Sequence, residues 1–309
     1  MHIVCYHNVL DEPLDPFDRA APRLTIASFT RQMEYLAQYF KVLPLPEALR
    51  LWSSGEPTAQ VAVITFDDAY YGVYQHARPI LRGLGLPAAV FAVTAYVDRG
   101  GTTAFEHDET EIAFRIAPAA RIDLDFLGLS AYSLDSDVAR IGALKAAKRE
   151  LKVTPAQHLA AARASLFERL AVTPEQCQQY ARTRPAFRQM GWSELRELHS
   201  EGWEVGSHTR THKALGQTES PLLEEEVNGS ANDLRAHLGL AAPTFAYPYG
   251  EMPHIGEAAP AAVRNAGYSC ALTMVPGLND NSTDRFLLHR LEFARLVYNM
   301  TFAGPNSPP

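Results

Sequence analysis

The chain has 309 residues, 47% of them hydrophobic and 20% charged, with a formal net charge of −7. That length suits one large α/β domain or two ordinary ones, and the composition excludes a disordered chain. The acidic balance argues against a nucleic-acid binder, whose affinity rests on Lys and Arg against phosphates.

Cys5, Cys177 and Cys270 are far apart and lack CxxC spacing, so they read as reduced, buried thiols and not as a zinc knuckle or disulfide framework. Met1-His2-Ile3-Val4 runs straight into a strand without a basic or long apolar leader. No run approaches the ~18 apolar residues of a membrane span. The chain as given therefore reads as cytoplasmic.

Residues 3–6 form the first expected strand, with His7 at its end. Residues 8–24, rich in proline and acids, read as a loop. Phe29, Met33, Leu36 and Phe40 recur at helical spacing. A short strand at Val42-Leu43 and a short helix from Pro46 to Trp52 follow. Val61 to Phe66 is a β-branched, apolar run that ends in two adjacent acids, Asp67 and Asp68. Tyr70 to Leu84 reads as a helix and Ala88 to Thr94 as a strand. This alternation argues for a parallel sheet or barrel.

Residues 97–190 break the rhythm. Gly100-Gly101-Thr102-Thr103 opens a long insertion, and Glu106, Asp108, Glu109 and Glu111 read as a solvated acidic face. Thr154-Pro155 and Thr173-Pro174 announce helices, each with Thr at the N-cap and Pro in the first turn. The segment is expected to be a mostly helical lid or subdomain within one domain spanning 1–309. The alternation resumes with a helix from Trp192 to His199 and a strand from Trp203 to Val205, which leads into Ser207-His208-Thr209-Arg210-Thr211-His212. Ser220-Pro221 opens a helix to about Leu238. Strands are expected at 244–246, 269–274 and 286–293, and a helix at 260–266. The proline-rich tail from Gly304 is expected to fray. Trp192 and Trp203 read as core residues.

In α/β folds, ligands gather outside the carboxyl ends of the strands. Asp67-Asp68 and the His208/His212 pair both follow expected strands directly. Two adjacent acids repel unless a cation or proton neutralises one of them. Histidines four apart share one face of a helical turn and can share a metal. Two imidazoles and one carboxylate make a three-ligand site with room for water, which suggests catalysis, and the other carboxylate is free to act as a base.

Thr65-Phe66-Asp67-Asp68, Ser207 to His212, and Phe245-Ala246-Tyr247-Pro248-Tyr249-Gly250 resemble, in that order, the motifs of the polysaccharide deacetylases, the NodB-homology enzymes of carbohydrate esterase family 4. Tyr6-His7-Asn8-Val9 resembles the opening motif of the subgroup that modifies exopolysaccharides and surface glycans. The likeness covers about residues 1–96 and 190–295 and leaves the insertion unmatched. It implies an irregular (β/α) barrel and metal-assisted hydrolysis of an N-acetyl or other small N-acyl group on an amino-sugar glycan or its precursor. It implies Asp68, His208 and His212 as ligands of a divalent metal, zinc first, with cobalt, nickel or iron able to fit. It implies Asp67 as the base and the backbone N–H of Tyr249 as an oxyanion donor.

The motifs depart from the family at three points. Ala69 stands where glycine is usual, so the turn is expected to differ. Ala246 stands where an arginine orients the base, and Arg290 is the candidate replacement. The general acid does not align; His7 is preferred over His289 and His254, because adjacent strand residues face opposite ways and His289 and Arg290 cannot both enter the site. The competing readings are a small-molecule amide or imide hydrolase, an iron(II) oxygenase and an inactive sugar-binding homologue.

Overall fold

A computed structural model describes residues 1–11, 13–97, 99 and 103–302. The expected glycine-rich opening at 100–102 and the tail from Gly304 lie outside the described residues.

The main sheet is parallel throughout. Its strands are β1 (His2–Tyr6), β2 (Lys41–Val42), β3 (Val61–Phe66), β4 (Ala89–Ala92), β5 (Glu204–Ser207), β6 (Phe245–Ala246) and β7 (Ala271–Leu272). They are ordered β1-β3-β4-β5-β6-β7, with β2 also paired to the start of β3. Residues 288–291 join the two outer strands. Leu288 bridges Leu272 and Leu291 bridges Val4, both in parallel. The sheet thus curls into an irregular barrel, the architecture that the alternation predicts.

Strand parity sorts the side chains. Ile3, Val61, Val63, Phe91, Ala246 and Leu288 share one buried cluster, which the helix Leu45–Ser53 closes through Leu45, Leu49 and Trp52. The intervening residues Val4, Ile64, Phe66, Val90 and Val205 pack outward against Phe29, Met33, Leu36, Leu195 and Leu198 of the surrounding helices. Both faces of each strand are covered, which is why the strands read as continuous apolar runs. Gly206 is needed for packing, since a Cβ there would meet the Phe91 ring at 2.6 Å. Trp192 and Trp203 lie in the outer cluster, as expected.

The structure departs from the reading at several points. The segment 8–24 carries parallel strands at Asn8–Leu10 and Arg23–Thr25 and a helix at Pro16–Ala20 capped by Asp15. The expected final strand 286–293 survives as the bridging segment, and a helix, Phe293–Phe302, follows it. Thr173 caps its helix in a full capping box with Gln176. Thr154 does not: its hydroxyl donates back to Glu150 O (2.9 Å), ending the preceding helix Asp137–Val153. Ser220 makes no cap either, and its hydroxyl donates to Glu224 (3.0 Å).

The insertion contains helices at Glu106–Ile116, Asp137–Val153, Ala156–Leu170 and Pro174–Arg182. Their apolar faces share a cluster of their own, joined by Leu10, Leu14 and Phe17 from the segment after β1. Sequence periodicity missed the first of these helices because its acids are buried. Asp108 and Glu111 are 1% and 2% exposed. Arg23 reaches Glu111 at 2.7 Å, Asp18 at 3.1 Å and Asp108 at 3.6 Å, and Arg115 reaches Glu111 at 2.8 Å. The acidic run is therefore half of a buried ionic network and not a solvated face, because a buried carboxylate persists only where cations pair it. No described helix is long and apolar enough to cross a membrane.

Candidate active site

The parity that fills the barrel also aims the functional side chains. Val61, Val63, Thr65 and Asp67 alternate on one face of β3, as Ile3, Cys5 and His7 do along β1 and Leu288 and Arg290 along the closing segment. Asp67 and Arg290 meet inside the rim. Arg290 Nη1 donates to Asp67 Oδ1 and Nη2 to Oδ2, both at 2.7 Å, while Nε donates to Thr273 O at 2.8 Å. Burial alone would raise the Asp67 carboxyl; Arg290 and His208 overcome it and hold it well below the usual carboxylate range. Cys5 Sγ donates to Asp67 Oδ2 at 3.5 Å, and burial pushes that thiol well up.

Asp68 has the opposite surroundings. Its Oδ1 is buried and has no hydrogen-bond partner. That oxygen lies 3.4 Å from His212 Nε2 and 3.8 Å from His208 Nε2. Burial and the neighbouring Asp67 charge push its carboxyl well above the ordinary value, so the carboxylate form lacks a cation. The Asp68, His208 and His212 donor atoms all lie within 4.8 Å of one another. His208 Nδ1 is 2.8 Å from Ala246 O, a bond it can only donate, which leaves Nε2 as a bare lone pair facing Asp68. These residues fit a divalent cation. Cys5, His7 and Asp67 also bring donor atoms within 4.8 Å, but Arg290 already supplies positive charge to both Asp67 oxygens.

The backbone holding these groups is strained where it turns. Among the described non-glycine residues, φ is positive at Asp68 (69°), Ala69 (52°), Thr209 (65°), His212 (63°) and Tyr249 (61°), all on the rim, and at Ala171 in the insertion. Ala69 thus adopts the left-handed conformation that favours glycine, at a cost of about 1–2 kcal/mol. His208 and His212 do not sit on a helical turn. They flank a loop in which Thr209 Oγ1 accepts from His212 N (2.9 Å). Glu226, buried on the helix Leu222–Leu238, accepts from Arg210 N (3.0 Å), Thr211 N (2.8 Å) and the Thr211 hydroxyl. Sequence reasoning passed over Glu226; its signal was an acid beside Val227 on an otherwise apolar helical face.

Tyr249 stands edge-on to His212, with ring centroids 4.9 Å apart. No described residue accepts a hydrogen bond from its backbone N–H. The next residue, Gly250, has φ of 68° and passes so close to Met274 N that a Cβ would lie 2.5 Å away. His7 lines the cleft beside Asp67, and burial lowers its imidazole to about 4. His289 turns the other way, as parity requires: its ring packs under Gly277 and its backbone pairs with Asn279. His254 lies behind Tyr249, with ring centroids 5.4 Å apart, and does not line the cleft.

The insertion supplies a wall that the sequence did not reveal. His107 stacks on Phe105 and packs against His212, with centroids 4.7 Å apart. Tyr70 donates to Asp108 (3.0 Å) and lies 3.2 Å from His107 Nε2. Lys148 and Lys152 line the same cleft, which has a volume of about 910 Å³.

A parallel barrel with paired aspartates and histidines at its carboxyl rim is the class that this geometry defines. Within it, residues 167–271 match the family model described as polysaccharide deacetylase, a span that holds His208, His212 and Tyr249. A deacetylase, PplD, from Streptococcus pyogenes, solved in complex with acetate, is similar in structure with a TM-score of 0.61, 15% identity and 97% of each chain covered. IcaB from Ammonifex degensii is similar with a TM-score of 0.55 and 19% identity, over 94% of this chain and 90% of that one. The deacetylase domain of BpsB from Bordetella bronchiseptica has a TM-score of 0.55 and 16% identity, over 94% of this chain and 96% of that one. Among curated proteins there is no match. The resemblance to polysaccharide deacetylases read from the motifs is thus shown, together with the barrel fold. At 97% coverage the structural likeness spans the insertion as well as the motif-bearing parts.

Proposed function

We propose that this chain is a metal-dependent hydrolase that removes an N-acetyl or other small N-acyl group from an amino sugar of a surface polysaccharide or its precursor. The observation that carries this reading is the division between adjacent acids. Asp67 is charge-paired inside the Arg290 fork, while Asp68 faces two imidazoles with an oxygen that has no partner. Asp68, His208 and His212 would hold the cation, zinc first, with cobalt, nickel or iron accommodated by the same ligands. When bound, such an ion supplies Lewis-acid polarisation of the amide carbonyl and acidifies water.

Asp67, kept ionised by Arg290, takes the proton of the attacking water. Arg290 fixes the carboxylate plane, so the lone pair that does this is aimed before substrate arrives. The Tyr249 N–H meets the developing oxyanion. His7, neutral before reaction, receives the proton that Asp67 has taken from the water and gives it to the departing amine. His208 Nδ1–H holds Ala246 O and keeps its ring turned toward Asp68.

Chelation should abolish acetate or formate release from a panel of N-acyl amino sugars, and add-back of zinc or cobalt should restore it. Turnover indifferent to chelator would overturn the metal reading. Release from simple amides or imides in preference to sugars would favour the small-molecule hydrolase instead.

A further inference from the structure

The helix Asp137–Val153 presents two faces. Leu144, Ala147 and Leu151 enter the core of the insertion, while Lys145, Lys148 and Lys152 line the cleft. Residues 148 and 152 are one turn apart and lie side by side. Like charges so placed repel, and nothing in the fold cancels both.

Lys148 Nζ is 3.7 Å from Glu111 Oε2, but Glu111 already accepts from Arg23 at 2.7 Å and Arg115 at 2.8 Å. Lys152 forms no ion pair with any described carboxylate. It lies over the Tyr249 ring, 4.7 Å from the centroid, and Tyr249 is itself packed on His212. The Lys152 ammonium is therefore two ring contacts from a candidate metal ligand. Burial lowers the pKa of both lysines, and Lys148 lowers that of Lys152 further, while Glu251 attracts Lys152 without pairing with it. A half-buried ammonium kept against a cleft wall carries a desolvation cost that a bound anion removes.

We propose that Lys148 and Lys152 form an oxyanion subsite in the cleft, one sugar residue from His212, and that the substrate is an amino sugar bearing a phosphate ester or a carboxylate next to the amide that is cleaved. This rests on the deacetylation reading for its substrate but not for its binding site. Ammonium groups act as point charges toward such oxyanions and donate short, charge-assisted hydrogen bonds to them. The sugar ring would lie between the pair and the Asp68–His212 rim, with Tyr249 as its floor.

The test is calorimetric binding of deacylated probes, which are not turned over, to the zinc-loaded full chain. The probes are methyl glucosaminide, glucosamine 1-phosphate and a disaccharide of glucosamine with glucuronic acid. The probes that carry an oxyanion should bind at least about tenfold tighter than methyl glucosaminide, which has none, the worth of one well-placed charge contact of ~1.4 kcal/mol. Whichever anionic probe binds tighter identifies phosphate or carboxylate as the source. The preference should collapse in Lys148→Gln/Lys152→Gln and persist in Lys152→Arg. Equal affinity for probes with and without the oxyanion, or a preference unchanged in the double variant, overturns the subsite. Acetate release from the N-acetylated forms is measured alongside. An anionic preference without acetate release supports the subsite and overturns deacetylation; release with equal affinities does the reverse.

Discussion

Arg290 grips Asp67 by both carboxylate oxygens, at 2.7 Å each, with neither residue open to solvent. The arginine comes from the closing segment of the barrel and the aspartate from β3, so the pair ties the end of the chain to its first third. Removing one partner of a buried ion pair leaves an uncompensated charge. Arg290→Met should therefore lower unfolding stability by about 3–5 kcal/mol, read from the denaturant midpoint. The pair lowers the folded pKa of Asp67, so its stabilisation is full above the unfolded carboxylate value and is lost as pH falls through the folded one. Arg290→Lys keeps the charge without the fork and should cut kcat more than it raises KM. An Arg290→Lys enzyme with wild-type kcat would remove the orienting role.

His7 is the one candidate acid that lines the cleft, since His289 and His254 do not. His7→Ala should lower kcat by about 10²–10⁴-fold, the usual range for a general acid, with little change in KM. His289→Ala should keep its turnover. The reverse pattern in steady-state kinetics would transfer the role to the closing segment.

Arg23 serves Asp18, Asp108 and Glu111 together and lies 4.8 Å from the Phe187 ring centroid. It joins the segment after β1 to the first helix of the insertion. Arg23→Met should destabilise the protein by about 3 kcal/mol or more, with three acids left short of a cation. Arg23→Lys should recover part of that loss. A midpoint within experimental error of wild type would mean that water enters the network and satisfies it.

His2, at the far end of β1, is 8% exposed, and burial lowers its pKa to about 4. The unfolded imidazole, near 6.5, binds its proton first as pH falls, so the neutral folded form loses stability between about 6.5 and 4. From pH 7 to pH 5 the loss from this residue should be about 2 kcal/mol. The stability difference between wild type and His2→Phe should shift by that amount over the same interval, with His2→Phe the less pH-sensitive. Parallel pH curves for the two proteins would show that His2 is not the titrating group.

Much of the barrel was legible because its strands are covered on both faces. Runs such as Val61 to Phe66 are apolar throughout and end at their acids, and the positions of Asp67, Asp68, His208 and His212 followed from where those runs stop. Arg290 was reached as the replacement for the arginine absent at Ala246, and parity then set it on the opposite face from His289. The insertion was legible only in part. Asp108 and Glu111 are charged residues at buried helical positions, and their partners Arg23 and Arg115 lie 88 and 4 residues from Glu111 in sequence. Hydrophobic periodicity carries no signal for such pairs. The loop at 209–212 was misread because the i, i+4 spacing of the histidines fits a helix as well as a hydroxyl-bridged turn. Left-handed residues such as Thr209 and Tyr249 leave no mark in composition.

The closure of the barrel by residues 288–291 also sets an order of assembly. Until that segment leaves the ribosome, β1 has an open edge beside Val4, and Asp67 stands next to Asp68 with no arginine between the acids and water. The two aspartates are made more than two hundred residues before the arginine that pairs with Asp67. On the proposed reading, the candidate ligands Asp68, His208 and His212 are all made before Arg290, and the closing segment is the last part of the rim to be added.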